Sequence, residues 1–403
     1  MHRITISNSS SLLPHQMTPL VHSSRREFGN LLSKGFALYL FFSSARLGLS
    51  EDHVSAKWQD YQEDDERIRV VSSYLGFEKQ LNASLALKGH AVYDSISGAS
   101  PLGVALEEGR SGVGLVQLTD IRRAGVLDLM WTQGIHETSV QYSYSKESDF
   151  LSRGYAVSRT SELNKRNTGL SYGVSYVDDR IIQTTVSEKE SWDYFVGVSQ
   201  VIDANTVVAL NLTYGEIDGY LNDSYKRISQ NIFFGSDIVY QSILENRPES
   251  RYRGIAFFNV KRFFDGLGAS LDADVRYFED SWGVQSLTYD LEWYQKIGER
   301  FIVRPNFRYY RQSEADFYQA DLTGLGFNAQ FRPTGEAPYY ASDYRLSEMQ
   351  TIGYGLKVIY KMTESIKFDV TYERYEMKGL DGVTHHSAYP DASILTFGGT
   401  LWF

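Results

Sequence analysis

Alternation of apolar and polar residues, repeated in segment after segment, constrains the fold of this chain more than any other feature. In one segment Leu170, Tyr172, Val174 and Tyr176 alternate with serine and glycine. Clear examples cover residues 81–94, 140–145, 170–176, 208–214, 271–277, 287–293, 352–360 and 366–373. Because successive side chains of a β-strand point to opposite faces, each segment predicts a strand with one apolar and one polar face. So many such strands in series do not fit a soluble core. They predict a barrel with lipid outside and a polar lumen.

The connections between these segments fall into a short class and a long class. Short turns lie at residues 80–82, 203–205, 265–266, 298–299 and 363–364. The alternate connections are longer and cover residues 96–118, 179–191, 219–250, 314–346 and 379–392. Outer-membrane barrels have short periplasmic turns and longer external loops. We therefore predict an all-β, transmembrane antiparallel β-barrel of about 16 strands (14–18), with both termini periplasmic. The third and fourth long connections could each contain a further hairpin.

Composition favours one membrane domain over residues 49–403. The chain has 403 residues, 29 tyrosines and a formal net charge of -10, and no linker divides it after the first fifty residues or so. Tyrosine suits membrane–water interfaces, because its ring is apolar and its tip is polar. No apolar run of about 18 residues predicts a membrane helix. The acidic balance argues against nucleic acid as a partner. The absence of cysteine excludes a lipoprotein anchor and a disulfide scaffold.

Residues 1–48 are predicted to be an export leader. Arg25, Arg26 and Lys34 precede an apolar run at residues 35–42, and small residues follow up to Ala45. This order is typical of a secretory signal peptide, with cleavage expected between about Ala45 and Gly48. A leader of this kind on a barrel predicts the outer membrane of a Gram-negative bacterium.

The last strand ends in an aromatic residue. Phe397, Leu401 and Phe403 share its apolar face. This ending resembles the C-terminal signal of bacterial outer-membrane barrels, which implies the barrel-assembly machinery as a partner. By itself the segment would also suit the edge strand of a soluble sandwich. In a barrel it must pair with the strand that begins near Val54, because a barrel in lipid leaves no edge unpaired.

Four short stretches, at residues 63–68, 93–101, 142–150 and 164–168, together resemble one family of uncharacterised bacterial barrel proteins, a domain of unknown function. The resemblance implies an outer-membrane barrel and supplies no activity.

The string at residues 94–100 resembles the D-x-x-S/T-G-A-T/S pattern at which a periplasmic flavin transferase attaches FMN. The resemblance implies Ser100 as the acceptor hydroxyl, with Asp94, Ser97, Gly98 and Ala99 forming the rest of the motif. Covalent FMN would be the cofactor and the flavin transferase a partner. This sequence has serine where threonine is usual, and proline follows it. The alternative interpretation is a tight turn that leaves the strand after Asp94.

Enzyme and metal signals are weaker, and we predict no enzymatic activity. His385 and His386 lie near Asp381 and Asp391, but adjacent side chains on an extended segment point in opposite directions, which disfavours one shared metal. No G-x-S-x-G motif occurs. Aromatic residues followed by carboxylates recur at loop-side strand ends, as at 144–150. They predict a solvated acidic rim, or divalent cations that bridge lipopolysaccharide phosphates.

The polar strand faces predict a lumen lined by both signs of charge. Its members are Lys88, His90, Asp272, Asp274, Arg276, Asp290, Glu292, Arg304, Arg308, Lys357 and Asp369. About sixteen strands are wide enough for an aqueous channel. The leading hypothesis is porin-like passage across the outer membrane. The alternatives are a flavinylated barrel in an electron-transfer system, and a structural or surface-interaction barrel with a plugged lumen.

Overall fold

A computed structural model describes residues 52–105, 113–182, 186–234, 237–323, 325–326 and 339–403. The predicted leader, residues 1–48, lies outside them. Sixteen strands form a closed antiparallel barrel, as the alternation predicts, and two more form a separate hairpin. The strands are β1 (His53–Glu63), β2 (Arg69–Asn82), β3 (Leu85–Ala105), β4 (Val113–Gln133), β5 (His136–Lys146), β6 (Phe150–Leu163), β7 (Thr168–Ile182), β8 (Val186–Asp203), β9 (Thr206–Gly219), β10 (Arg227–Phe234), β11 (Asp237–Leu244), β12 (Ser250–Phe264), β13 (Ala269–Asp280), β14 (Gln285–Ile297), β15 (Phe301–Gln312), β16 (Met349–Lys361), β17 (Ile366–Gly379) and β18 (Ala392–Trp402). Short 3-10 turns lie at Asn164–Arg166, Asp265–Leu267, Tyr344–Leu346 and His386–Ala388.

The barrel closes where its first and last strands meet. β1 pairs with β18 from His53↔Trp402 to Glu63↔Ala392, so the strand that ends the sequence completes the hydrogen-bond ladder. β9 pairs with β12 and skips the hairpin between them. No helix in the described part of the chain is long and apolar enough to cross a membrane.

Alternation places apolar side chains outside the barrel and polar ones inside. On β7 Tyr172 is 47 % exposed, whereas Ser171 and Ser175 are buried. The exposed apolar residues recur on strand after strand, as an outward face in contact with lipid requires. The inward faces carry serine, threonine, asparagine and charged residues.

Both ends of the barrel have recognisable connections. At one, the turn end, tight turns join β2 to β3, β4 to β5 and the later pairs in the same way. At the other, the loop end, the predicted long connections 96–118 and 179–191 are wrong in their bounds. β3 and β4 have 21 residues each and pair through Ile96↔Asp120 to Pro101↔Leu115. A polar, glycine-containing segment remains a strand when a neighbouring strand supplies its hydrogen bonds. About ten residues cross a bilayer, so these two strands project beyond it.

The long loop-end connections 220–249 and 313–348 fold together, and we call their described residues the plug. The first contains the hairpin β10–β11, which the sequence allowed for. The described part of the second holds isolated bridges, such as Asn246↔Tyr340, instead of a hairpin. Ile228, Ile243, Leu322 and Tyr340 form a buried apolar cluster that joins the two connections.

The plug packs against lumen-facing side chains of the wall. Tyr344 shares a buried cluster with Tyr61 of β1, Ile96 of β3 and Leu118 of β4. The same cluster contains residues of β16 to β18, and a second one joins the plug to β13 and the connection that follows it. Contacts on several sides of the barrel place the plug across its loop-end mouth.

Candidate functional site

The lumen is the candidate site, because it is an enclosed polar surface to which all sixteen barrel strands contribute side chains. The charged residues predicted to line it lie on the strand faces opposite the exposed apolar residues. Their strands are neighbours, which brings opposite charges together. Lys357 and Asp369 form an ion pair of 2.7 Å, and Arg304 and Glu292 one of 3.1 Å. Arg308 and Asp290 form another of 2.7 Å.

Sequence reasoning left several inward-facing charges out of the predicted lining. Arg253 of β12 binds both carboxylate oxygens of Asp193 on β8, at 2.8 and 2.7 Å from one nitrogen. Lys189 lies 2.9 Å from Asp179. Lys57 of β1 is 6 % exposed and belongs to the same side of the wall as Lys357. Counting inward-facing positions in steps of two beyond the clearly alternating segments could have identified these residues.

One glycine makes room for a lumen carboxylate. Gly398 of β18 lies between Lys57 of β1 and Asp369 of β17 in the strand register. A Cβ atom at Gly398 would collide with the carboxylate of Asp369. Asp369 therefore lies across β18, within reach of cations on both sides.

The flavin-like motif lies on β3 near the loop end. Asp94 is 1 % exposed, and Arg122 of β4 donates a hydrogen bond of 2.6 Å to it. Ser97 is exposed, whereas Ala99 and Ser100 are buried. Gly98 has a φ of 118° and lies against the backbone of Arg67. The alternative interpretation as a tight turn is wrong, because β3 continues through the motif.

The plug covers the end of this motif. Lys226 is fully buried, and its ammonium donates a hydrogen bond to the carbonyl of Pro101. The hydroxyl of Ser342 lies close to Gly103. A large group attached to Ser100 in the folded chain would have to displace the plug.

Inside the plug, six buried charges form a balanced network: Asp223, Lys226, Glu245, Arg247, Asp343 and Arg345. Arg247 donates to Glu245 and Asp343, both at 2.7 Å, and Arg345 reaches Asp223 at 2.8 Å. The bonds from Arg247 to Asp343 and from Arg345 to Asp223 cross from one loop connection to the other. Burial alone would raise the pKa of Asp343, but Arg345, Lys226 and Arg247 hold it well below its usual range. The pKa of Asp223 is lowered against burial in the same way, first by Arg345.

The candidate metal ligands divide into two groups. The expectation that His385 and His386 point in opposite directions is wrong: a 3-10 turn begins at His386, and the two rings lie 4.2 Å apart. Nδ1 of His385 contacts the Ser387 hydroxyl at 2.8 Å. Among the described residues, the carboxylates close enough to share a cation are Asp120, Glu147 and Asp149, with ligand atoms within 4.8 Å. Two of them belong to the acidic repeat at 144–150. Ser148 and Tyr225 donate hydrogen bonds to this cluster, which also stabilise it without a cation.

The predicted assembly-signal residues line the outer face at the turn end. Phe397 and Leu401 are 45 % and 48 % exposed, and Phe403 is 68 % exposed. The backbone N–H of Phe403 donates to the carbonyl of Asp52 at 3.0 Å. Phe397 packs on Trp58 of β1 with a ring separation of 5.9 Å, so it lies on the seam between the first and last strands.

Comparison with known proteins finds one family model and several solved structures that are similar to this chain. The model of a family described as "Protein of unknown function (DUF3570)" matches residues 42–111 and 180–392. No curated protein sequence matches. The siderophore receptor PirA from Pseudomonas aeruginosa is 10 % identical with a TM-score of 0.44, over 88 % of this chain and 62 % of the receptor. The PirA receptor from Acinetobacter baumannii is covered to 54 %. The chain therefore spans less than two thirds of these receptors.

Other solved structures match over nearly their whole length. A bacterial polysaccharide outer membrane secretin is 8 % identical, with a TM-score of 0.45, over 88 % of this chain and 98 % of the secretin. The outer membrane protein OmpT of Vibrio cholerae is 9 % identical, with a TM-score of 0.42, over 89 % of this chain and 99 % of OmpT. At such identities the likeness concerns the fold alone, which is that of an outer-membrane β-barrel.

Proposed function

Because the chain belongs to DUF3570, a family whose description assigns no function, we propose its role from the barrel itself: passage of solutes across the outer membrane, through a lumen that the plug closes at rest. The observation that carries this proposal is a charged lumen beneath a folded plug. A wide lumen lined by polar and charged groups is the interior expected of an aqueous channel.

The lumen supports passage because its polar groups come from many strands. Serine and threonine line β5, β6 and β7, and ion pairs line β14 to β17. Side chains of this kind can form hydrogen bonds with water or with a polar solute. Barrels of about sixteen strands enclose aqueous channels when nothing fills them.

The plug supports gating because its strongest contacts are internal. Arg247 to Asp343 and Arg345 to Asp223 join its two connections, and Leu322 donates a backbone hydrogen bond to Ser229. The hydrogen bonds that tie it to the wall are fewer, among them Lys226 to Pro101. A unit that is better bonded within itself than to its surroundings can move without unfolding.

Deletion of the hairpin tests the proposal. Residues 227–244 are replaced by a short Gly-Ser linker, and currents are recorded in planar bilayers. We expect rare or small openings from the intact chain and frequent, larger ones from the deletion, because the hairpin no longer covers the lumen. A matched control carries the same linker inserted at the turn 298–300, at the opposite end.

Silence from a correctly folded hairpin deletion would overturn the proposal in favour of a structural barrel with a plugged lumen. Heat-modifiable gel mobility and circular dichroism establish that the deletion is folded. Openings from the turn-end control as large as those of the deletion would also contradict it, since they would reflect general loosening of the barrel.

A further inference from the structure

An arginine in the lumen lacks the partner that its neighbours have. Arg276 lies on β13 and faces inward, half-buried between Phe257 of β12 and Thr288 of β14. Its Nε atom is enclosed and has no hydrogen-bond partner, and none of the ion pairs among the described residues includes it. The other lumen arginines on β12 and β15 are paired, which makes Arg276 an exception.

The charged groups around Arg276 do not neutralise it. The charged and titratable groups that act on it are Arg308, Tyr310, Arg253 and Asp290. Arg253 is neutralised by Asp193 and Arg308 by Asp290, so one guanidinium is in excess. The Nε atom of Arg308 also has no hydrogen-bond partner. An enclosed charge without a partner is unfavourable, and natural structures keep one where an ion or ligand compensates it.

A guanidinium group selects its ligands by shape. Its N–H donors form a planar fork that matches the two oxygens of a carboxylate or phosphate. Chloride cannot use that fork in the same way. Phe257 and Tyr310 lie in the same row of the strand register as Arg276, and apolar rings beside a charged hydrogen bond strengthen it.

The positions of Arg276 and Arg308 along the barrel suit a site that holds a solute in the lumen. Arg276 lies four residues from the loop-end limit of β13 at Asp280, and Arg308 four residues from that of β15 at Gln312. Both therefore lie in the loop-end half of the lumen, on the inner side of the plug. A cavity of about 40 Å³ borders Arg308, together with Asn306 and Gly353.

We propose that Arg276, with Arg308 as the second cation, binds an oxyanion in the lumen, namely the carboxylate or phosphate group of a solute held beneath the plug. The inference rests on the proposed function, because it specifies the class of solute that the lumen takes. The competing explanation is an ion pair between Arg276 and a carboxylate of this chain outside the described residues.

Equilibrium dialysis tests the site directly. The full chain in detergent is equilibrated with radiolabelled inorganic phosphate at constant ionic strength, and unlabelled acetate serves as the competing carboxylate. We expect one phosphate per chain, displaced by acetate, and a Kd raised about tenfold or more in Arg276→Gln. The control is Arg311→Gln, which removes an arginine from the same strand as Arg308 but from the exposed rim. It is expected to bind as the intact chain does.

Thermal unfolding separates a solute site from an internal ion pair. Without phosphate, Arg276→Met is expected to be at least as stable as the intact chain, because it removes an unpaired charge. Equal phosphate binding in Arg276→Gln overturns the inference. So does a loss of stability in Arg276→Met, which would indicate an ion pair within the chain. Phosphate binding without currents from the hairpin deletion would refute passage and keep the site, whereas currents with unaltered binding in Arg276→Gln would refute the site alone.

Discussion

The side chains in the lumen of this barrel make their main contacts with residues on other strands. Lys357 and Asp369 pair between the neighbouring strands β16 and β17, and Arg253 of β12 reaches Asp193 of β8 across β9. A glycine such as Gly398 contributes to these contacts, because it leaves room for a neighbouring side chain to lie across its strand. The effect of a substitution on stability therefore depends on whether the residue faces the lumen or the lipid.

Gly398→Ala is expected to disturb the lumen, because the added Cβ collides with the Asp369 carboxylate and displaces it from Lys357. We expect a loss of about 1–3 kcal/mol in the free energy of unfolding, the usual cost of an overpacked site. The measurement is urea unfolding in detergent micelles. Gly399→Ala is the control, since its Cβ faces outward at 3.4 Å from Phe368. Equal effects of both substitutions would refute the explanation.

The burial of Ser100 predicts when a flavin could be attached to it, before or after folding. Its side chain is 6 % exposed, and the plug lies against the strand immediately beyond it. A flavin transferase added to folded protein with its FMN donor should therefore leave the intact mass unchanged. Modification, if it occurs, must precede folding in the cell and must disappear in Ser100→Ala. A flavin adduct formed on the folded chain would show that the plug releases β3.

At the scale of elements, the plug is the part that departs from a simple barrel. Its hairpin β10–β11 lies apart from the barrel sheet, and its charges are satisfied across the two connections. Buried ion pairs of this kind contribute little net stability but are costly to break from one side only. They therefore hold one arrangement of the plug in preference to others.

Acid should release the plug. The folded-state pKa values of Asp223 and Asp343 are depressed, so their contribution is present above the ordinary aspartate pKa of about 4 and is lost as pH falls below it. Hydrogen exchange of residues 227–244 should be slow at pH 7 and should accelerate only below that value. Asp343→Asn should mimic acid at pH 7, with a loss of about 3–5 kcal/mol.

Asp64→Asn provides the comparison for this pH prediction. Arg374 donates hydrogen bonds to Asp64 at the loop-end rim and lowers its pKa, but this pair lies outside the plug. Its loss should leave exchange in the hairpin unchanged. Faster exchange of the hairpin in Asp64→Asn would show that the rim, and not the plug network, controls opening.

At the scale of the whole molecule, closure depends on the seam between β1 and β18. A barrel in lipid must satisfy every strand edge, and here the last strand supplies the partner of the first. The outer face at this seam includes Trp58 and Phe397. Assembly and stability are therefore linked through one pair of strands.

Deletion of Phe403 should impair assembly far more than the loss of one exposed aromatic contact explains. The measurement is the amount of heat-modifiable barrel in outer-membrane fractions. Phe301→Ala is the control: this residue is also an outward aromatic at the turn end, 44 % exposed and stacked on Tyr360 at 5.0 Å. Normal membrane levels after deletion of Phe403 would refute the assembly-signal hypothesis.

The sequence by itself determined the barrel, because alternation between lipid and lumen is a local property that each strand carries. It also indicated the hairpin within 219–250, and it assigned Arg276 and Asp369 to the polar face. Only the tertiary structure decided the length of β3 and β4, whose loop-end residues adopt strand conformation because they pair with each other. It also decided which charges meet, as with Asp223 and Arg345, and that Arg276 meets none among the described residues. Such contacts join residues far apart in the chain, so no periodicity along the sequence records them.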